Sequence, residues 1–516
     1  MNRLQAYYEQ FQYPIKTIFI GCFMIALGTF IQSPYVNQIL KLDSLLLTSI
    51  TNIILYSGGI ILSYFPLLVF IKFLSSRVNE TNHTIVGIIA YGIFLLSMAM
   101  LSPKNLPAAS YSSLFNIQFA GVKYELMKTG VVGLLAVYML IRYIYRKKGL
   151  RVYVSQVSYI DRETLRLTQT IIGAMILGVV FANVWPLFIK NLYVVIDYIA
   201  SDVNNPMNLF TYGSVERVLA LLNLSDIPHQ EFWLGSAGGS WMNLAGQTFT
   251  GDVNIWSAQL KETVNILGAS GSGRFTSAYY VINMFSIPGY LCAIWSTITM
   301  KKYNRTNLLG LIIAIIFSLI SGILLPIELL MLVTTPVIYI FHLFMVSFTY
   351  ALLNAFNATV GFSYLGNLAT ATPGTIMDFL GLLNNSIVFD KLMIIAMVGV
   401  ISFVLYFLFT RFYFRKMAID VLNVGSKQER VVEFIERLGG LDNIEAISNT
   451  STRVHVTLID RDKLNVAGLH RQGVTRIVES RAGYALSFGA ASYIIQNEIN
   501  KALKSQPSKQ VEETYE

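Results

Sequence analysis

Cysteine is nearly absent from this chain of 516 residues: there are two, Cys22 and Cys292, each inside an apolar run. A disulfide framework, a cysteine-rich metal centre and a local thiol nucleophile are all poorly served by that pair, which reads as small packing residues. Charge is scarce as well, at 13% of residues beside 54% hydrophobic, where a soluble domain carries about a quarter charged. The five histidines (His83, His229, His342, His455 and His470) show no ligand spacing, so neither a metal nor another cofactor is expected. No small-residue cleavage site ends the first apolar run, Pro14 to Val36, which reads as a retained span. The glycine-rich GASGSGR at 268–274 lacks the Lys and Ser/Thr that a phosphate loop needs after its second glycine, and is expected to be a flexible linker.

What is present is a polytopic α-helical membrane protein of about ten spans, including re-entrant segments, with a small C-terminal α+β domain. Runs long enough to cross a bilayer fall at roughly 14–37, 47–74, 84–102, 126–145, 169–197, 276–300, 307–325, 329–353 and 391–410. Basic residues after the second and fourth runs, then Lys301, Lys302 and Arg305, and finally Arg411, Arg415 and Lys416 orient the chain with both ends cytoplasmic. No Lys or Arg occurs between Arg305 and Lys391, so charge leaves that part unoriented. The formal charge is +9, and because residues 427–516 hold 12 basic and 12 acidic residues, the excess lies in the membrane part. Cytoplasmic loops account for it, and no nucleic-acid partner is needed. Residues 146–168 suit an interfacial amphipathic helix, and 198–275 are too polar for simple spans and too long for an ordinary loop.

The stretch on which the rest of the chain depends is Gly322 to His342, GILLPIELLMLVTTPVIYIFH, apolar almost throughout yet carrying two prolines and one carboxylate, Glu328. Two readings stand: Glu328 faces a cavity lined by interrupted helices, or it sits near the interface on a proline-kinked span. Residues 354–389, rich in Gly, Thr and Pro, suit discontinuous or re-entrant segments. After 426 the composition turns soluble: a helix at 427–438, strands at 452–458, 475–480 and 483–489, a closing helix, and a polar tail at 505–516 that can bury no core.

These residues resemble the glucose/maltose/N-acetylglucosamine superfamily of phosphotransferase-system enzyme II permeases, fused in the order IIC then IIB. Gly322–Glu328 matches the signature Gly-Ile-Thr-Glu-Pro-Ile-Glu at Gly322, Ile323, Pro326, Ile327 and Glu328. Tyr212–Arg217, Gly251-Asp252, Gly273–Phe275 through Pro288, and in the soluble part Leu438–Gly440, Asn443-Ile444, Thr452-Arg453 and Ser487–Gly489 fit further motifs in the right order. The resemblance implies a permease domain over 1–425, with N-terminal spans at 14–197 and a sugar-site half at 198–425. It implies a cytoplasmic IIB-like domain at 426–504, a homodimer in the bacterial inner membrane, and a IIA protein or another IIB protein as partner. Its sugar-site residues carry over to Glu216, Arg217, Ser225, Asp226, Leu325, Pro326 and Glu328, and its phosphate loop to Thr452 and Arg453.

The departures from the family fall on chemistry. The phosphocysteine position is Thr450, whose hydroxyl is a weak nucleophile and whose phosphate ester is too stable to pass on. The family's His-His pair is Ser225 and Asp226, and the signature's first carboxylate is Leu325. His229 is read first as an interfacial loop histidine and second as a displaced ligand; Asp226 either compensates or is a loop aspartate. Thr452 and Arg453 fit an anion-binding loop and ordinary surface packing equally well. Three functions follow: a sugar permease component without its own phosphotransfer, a membrane sugar sensor signalling through residues 427–504, and phosphotransfer on Thr450, which has the poorest chemistry.

Overall fold

The computed structural model describes residues 2–33, 36, 45–77, 81–103, 105–119, 122–146, 162–262, 266–268, 271–297, 304–417, 427–449, 453–471, 474, 476–480, 483–487, 496 and 499. It divides into two compact units, one of residues 6–284 and 317–399, the other of residues 1–5, 285–316 and 400–516.

Among the described residues six helices are long and apolar enough to cross a membrane, within Tyr13–Gln32, Leu46–Ser63, His83–Leu101, Glu163–Ser201, Pro336–Ala355 and Ser386–Lys416. Their apolar residues divide between two faces. In the helix Arg162–Ser201, Ile172, Ile176, Val180, Val184 and Leu187 are exposed, while Ala174, Ala182, Trp185, Ile189 and Ile196 are buried. Hydrophobicity on both faces is what a helix needs when one side meets protein and the other lipid.

Several expected spans are interrupted, each for a local reason. The run at 47–74 is two helices, α1 (Leu45–Ser63) and α2 (Phe65–Arg77), because Pro66 has no N–H to continue the ladder. The run expected from 126 starts as a helix only at Gly130: the residues before it form an antiparallel hairpin, β1 (Tyr111–Phe119) with β2 (Val122–Met127). The run at 276–300 is broken by a π turn at Ile282–Ser286. Most consequential, the run around 307–353 is three helices, α3 (Asn304–Ser321), α4 (Leu325–Thr334) and α5 (Pro336–Ala355). Gly322 makes the first break at φ +62°, where a Cβ would lie 2.7 Å from the carbonyl carbon of Thr372. Thr335, with φ −145° and ψ 73°, makes the second.

Glycine 273 shows that 271–275 is no linker. At φ +92° its Cβ would lie 2.3 Å from the carbonyl carbon of Val360, and its N–H donates to Asp252 Oδ1 at 2.8 Å. The chain is clamped because a buried carboxylate collects its backbone donors: Phe275 N–H also reaches Asp252, at 3.3 Å. Residues 358–362 are buried outside any helix or strand, and Tyr280 Oη donates to Gly361 O at 2.7 Å.

In the C-terminal part a four-stranded antiparallel sheet has the order β3–β4–β6–β5, where β3 is Ile444–Asn449, β4 Arg453–Leu458, β5 Arg476–Ser480 and β6 Gly483–Ser487. The alternation in β4 puts Val454, Val456 and Leu458 inward, against Phe434 and Leu438 of the helix at 427–438 and its turn, and Leu469 and Leu486. The boundary near 425, residues 147–161 of the expected interfacial helix, most of the closing helix and the tail at 505–516 lie outside the described residues.

Candidate functional site

The helix α6 (Pro206–Leu221) starts from a capped end: Pro206 occupies its first turn, and Asn205 Oδ1 accepts from Met207 N–H at 2.9 Å. It packs closely on α5 because Gly213 has no side chain. A Cβ there would lie 2.7 Å from the Tyr350 ring, and Ser214 Oγ meets Ser347 Oγ at 2.6 Å. That approach carries Glu216 and Arg217 into the interior, towards α4 and Glu328.

Arg217 is the hub. Its Nη1 donates to Glu328 Oε1 at 3.2 Å, its Nε and Nη2 donate to the two oxygens of Glu216, and Nη2 also donates to Tyr279 Oη. The guanidinium lies over the Tyr279 ring, 4.8 Å from its centre. Tyr279 Oη in turn donates to Glu216 Oε1 at 2.7 Å. Two histidines close the network: His229 Nε2 donates to Glu216 Oε1 at 3.0 Å, and His342 Nε2 to Glu328 Oε1 at 3.1 Å. Glu216 and Glu328 are both fully buried. One of their four oxygens, Glu328 Oε2, is buried without a hydrogen-bond partner among the described residues.

The network borders a cavity of about 460 Å³, within the range of about 300–1,000 Å³ typical of small-molecule sites. Glu216, Arg217, Ser225, Asp226, His229, Leu325 and Glu328 all line it. The opposite wall is mostly apolar, with Leu62, Pro66, Leu67, Ile88 and Leu95. Glu328 therefore lines a cavity, and of the two readings of the central stretch the cavity is the one seen. Pro326 is buried in the first turn of α4 and does not line the cavity; its part is to start the helix after the break. Asp226 does not join the buried network: it is half exposed and accepts from Lys128 Nζ at 3.2 Å. His229 is not an interfacial loop residue but is buried, stacked on Trp233 with ring centres 3.9 Å apart. No sequence motif marks His342 or Lys128, and Tyr279 lies within the matching block at 273–288 without being singled out by it. The only signal for His342 was an ionisable side chain in an apolar run.

Of the phosphate-loop candidates, Thr450 and Thr452 lie outside the described residues, and Arg453 is exposed at the start of β4, opposite Ser487 of β6. Among the described residues no cluster of three or more His, Cys, Asp or Glu could hold a metal. Compared with known protein families, residues 9–347, more than half of the chain, match the family described as "Phosphotransferase system, EIIC".

Proposed function

The chain belongs to the EIIC family of the phosphotransferase system and is a membrane-bound sugar permease component; from that premise we propose that it moves its sugar without a phosphate relay of its own. The observation that carries this reading is Glu328, a buried carboxylate with one oxygen lacking a hydrogen-bond partner among the described residues, in a cavity also lined by Arg217 and His229. A sugar hydroxyl donating to it gains a charge-assisted hydrogen bond, worth about 1.5–3 kcal/mol. Glu216, Arg217 and Glu328 hold the sugar end of the chamber, with Ser225 and Asp226 at its rim; Leu325 supplies apolar contact and Pro326 acts through the backbone.

The finer assignment is a fused IICB-like member of the glucose/maltose/N-acetylglucosamine superfamily. Its domains are a permease at 1–425 and a cytoplasmic IIB-like part at 426–504, and it forms a homodimer in a bacterial inner membrane. In support, the motifs of that superfamily recur in order, while the chain has no cysteine after Cys292 to carry phosphate. Thr450 is then inactive, and phosphorylation, where it occurs, comes from another IIB protein.

Uptake of radiolabelled glucose, maltose and N-acetylglucosamine into proteoliposomes tests this, with and without phosphoenolpyruvate and the upstream phosphotransfer proteins. The expected result is unmodified sugar inside under both conditions. Sugar phosphate formed by this chain and the upstream carriers alone overturns it. Sugar binding without any transport moves the chain to the sensor reading.

A further inference from the structure

Two kinds of surface line the cavity, and they come from different parts of the chain. Glu216, Arg217, His229 and Glu328 bring the hydrogen-bonding groups. Residues 62–134 bring mainly aliphatic side chains, among them Leu62 of α1, Leu67 of α2, Leu95 of the helix Thr81–Leu101, Leu126 and Leu134. Among the lining residues of that second set the one charge is Lys128, and it is matched by Asp226 at 3.2 Å. Backbone bonds hold the two sets together: Asn223 Nδ2 donates to Ser63 O at 3.2 Å, and Val131 N–H to Leu222 O at 3.0 Å.

The helix α4 belongs to both surfaces. Glu328 joins the network, while Leu325 in the same turn sits in an apolar cluster with Phe65 and Leu329, against which Leu62 and Ile323 pack. Leu325, Leu62 and Ile323 line the cavity too. The apolar surface therefore continues up to the start of the helix that carries the acid.

We infer that the sugar this permease moves carries an apolar substituent, as an aryl or short alkyl glycoside does. The inference rests on the permease reading above and names the class of substrate for the same site. A plain sugar presents hydroxyls on every side. One set against the leucines with no partner weakens binding about fivefold or more, whereas each CH₂ buried there strengthens it by a factor of about four. The lining thus selects a ligand that is polar at one end and apolar at the other. Its hydroxyls meet Glu216, Arg217 and Glu328, and its substituent lies on Leu62, Leu67 and Leu95. A bare hexose leaves the apolar surface to water, and a disaccharide sets a second group of hydroxyls against it, so both bind more weakly.

The test is titration calorimetry on the full chain in nanodiscs, with empty nanodiscs as the blank for partition into lipid. The probes are glucose, maltose, N-acetylglucosamine, and the methyl and phenyl glycosides of glucose and N-acetylglucosamine in both anomers. At least one phenyl glycoside is expected to bind about tenfold or more tighter than its methyl counterpart, with a more negative heat-capacity change, the mark of apolar burial. Leu95→Asn is expected to narrow that phenyl-to-methyl ratio at least about threefold. Phenyl glycosides that bind no tighter than methyl ones, or only as they do to empty nanodiscs, overturn the inference. In that case binding and counterflow of glucose, maltose or N-acetylglucosamine leave the permease standing. Absence of binding and counterflow for every probe overturns the permease reading as well. The wild-type ratio decides alone, so a poorly folded variant does not leave the question open.

Discussion

Replacing Arg217 by Gln removes the only cation of the buried network. Four side-chain hydrogen bonds disappear, two to Glu216, one to Glu328 and one to Tyr279, together with the guanidinium–ring contact. The carboxylates then face each other unscreened by any fixed charge. Breaking a buried ion pair by removing one partner costs about 3–5 kcal/mol, set against a total stability of about 5–15 kcal/mol. At roughly 2 °C per kcal/mol for a large domain the midpoint falls by about 6–10 °C. The assay is thermal unfolding in nanodiscs, followed by tryptophan fluorescence, because Trp233 sits on His229 beside the network. The informative step is the double variant Arg217→Gln, Glu328→Gln. Only Glu216 then remains charged, still bonded to Tyr279 and His229, and the pair should couple by about 0.5–3 kcal/mol, recovering part of the lost midpoint. If the double variant is as unstable as the two single losses added together, the charges are not acting on one another, and the account of the network is refuted.

Gly322→Ala should destabilise the membrane part by more than the roughly 1–2 kcal/mol of a left-handed residue alone, because the added Cβ meets Thr372 and Pro373; lower yield of folded protein and loss of sugar-dependent Trp fluorescence check it. Lys128→Gln should shift the unfolding midpoint little, since its half-exposed ion pair with Asp226 is worth at most about 1 kcal/mol. Leu486→Ala, in the core of the C-terminal sheet, should cost that part about 2–5 kcal/mol, read as earlier proteolysis of residues 427–504. Thr450→Cys should accept labelled phosphate from a phosphorylated IIA protein where the natural chain does not, seen by gel autoradiography.

The sequence announced the apolar helices because each is hydrophobic well beyond what a soluble core requires, and it announced Glu328 because a carboxylate stands out in such a run. It could not announce where the runs break. Pro66, Gly322 and Pro336 mark breaks in hindsight, yet Pro14 and Pro186 lie inside continuous helices. At the Pro66 break a neighbouring side chain takes up a freed carbonyl, Asn223 Nδ2 donating to Ser63 O at 3.2 Å. The hairpin of β1 and β2 was hidden for a different reason: its second strand ends in Leu126 and Met127, apolar residues close ahead of the apolar helix that starts at Gly130. The network itself was half legible. Glu216 and Arg217 follow from the resemblance and Glu328 from its apolar run, while His342 and Tyr279 join them through packing between segments far apart in the chain. His229 reads as a loop residue because its burial depends on a π turn at His229–Leu234, and no local pattern signals one.

The break at 322–324 explains how a carboxylate is tolerated here at all. Had α3 run on through α4 as one helix, Glu328 would sit far from either end, with no unsatisfied backbone N–H groups near it. With the helix restarted at Leu325, Glu328 falls in the first turn of a ten-residue helix, where the positive end of the backbone dipole favours a negative charge. That effect supplies about 0.3–1 kcal/mol and at most about 2. A buried aspartate at a helix centre costs about 2.5–3.5 kcal/mol on insertion scales, and a glutamate is chemically its equal. The dipole therefore covers only part of the deficit, and the remainder falls to Arg217 and His342, the two groups bonded to Glu328 Oε1. Both bonds converge on the same oxygen, which leaves the other one, Oε2, buried without a hydrogen-bond partner among the described residues. Helix restart, guanidinium and imidazole thus stabilise the charge together, and the breaks that interrupt the hydrophobic pattern are the means by which a buried acid is held beside the cavity.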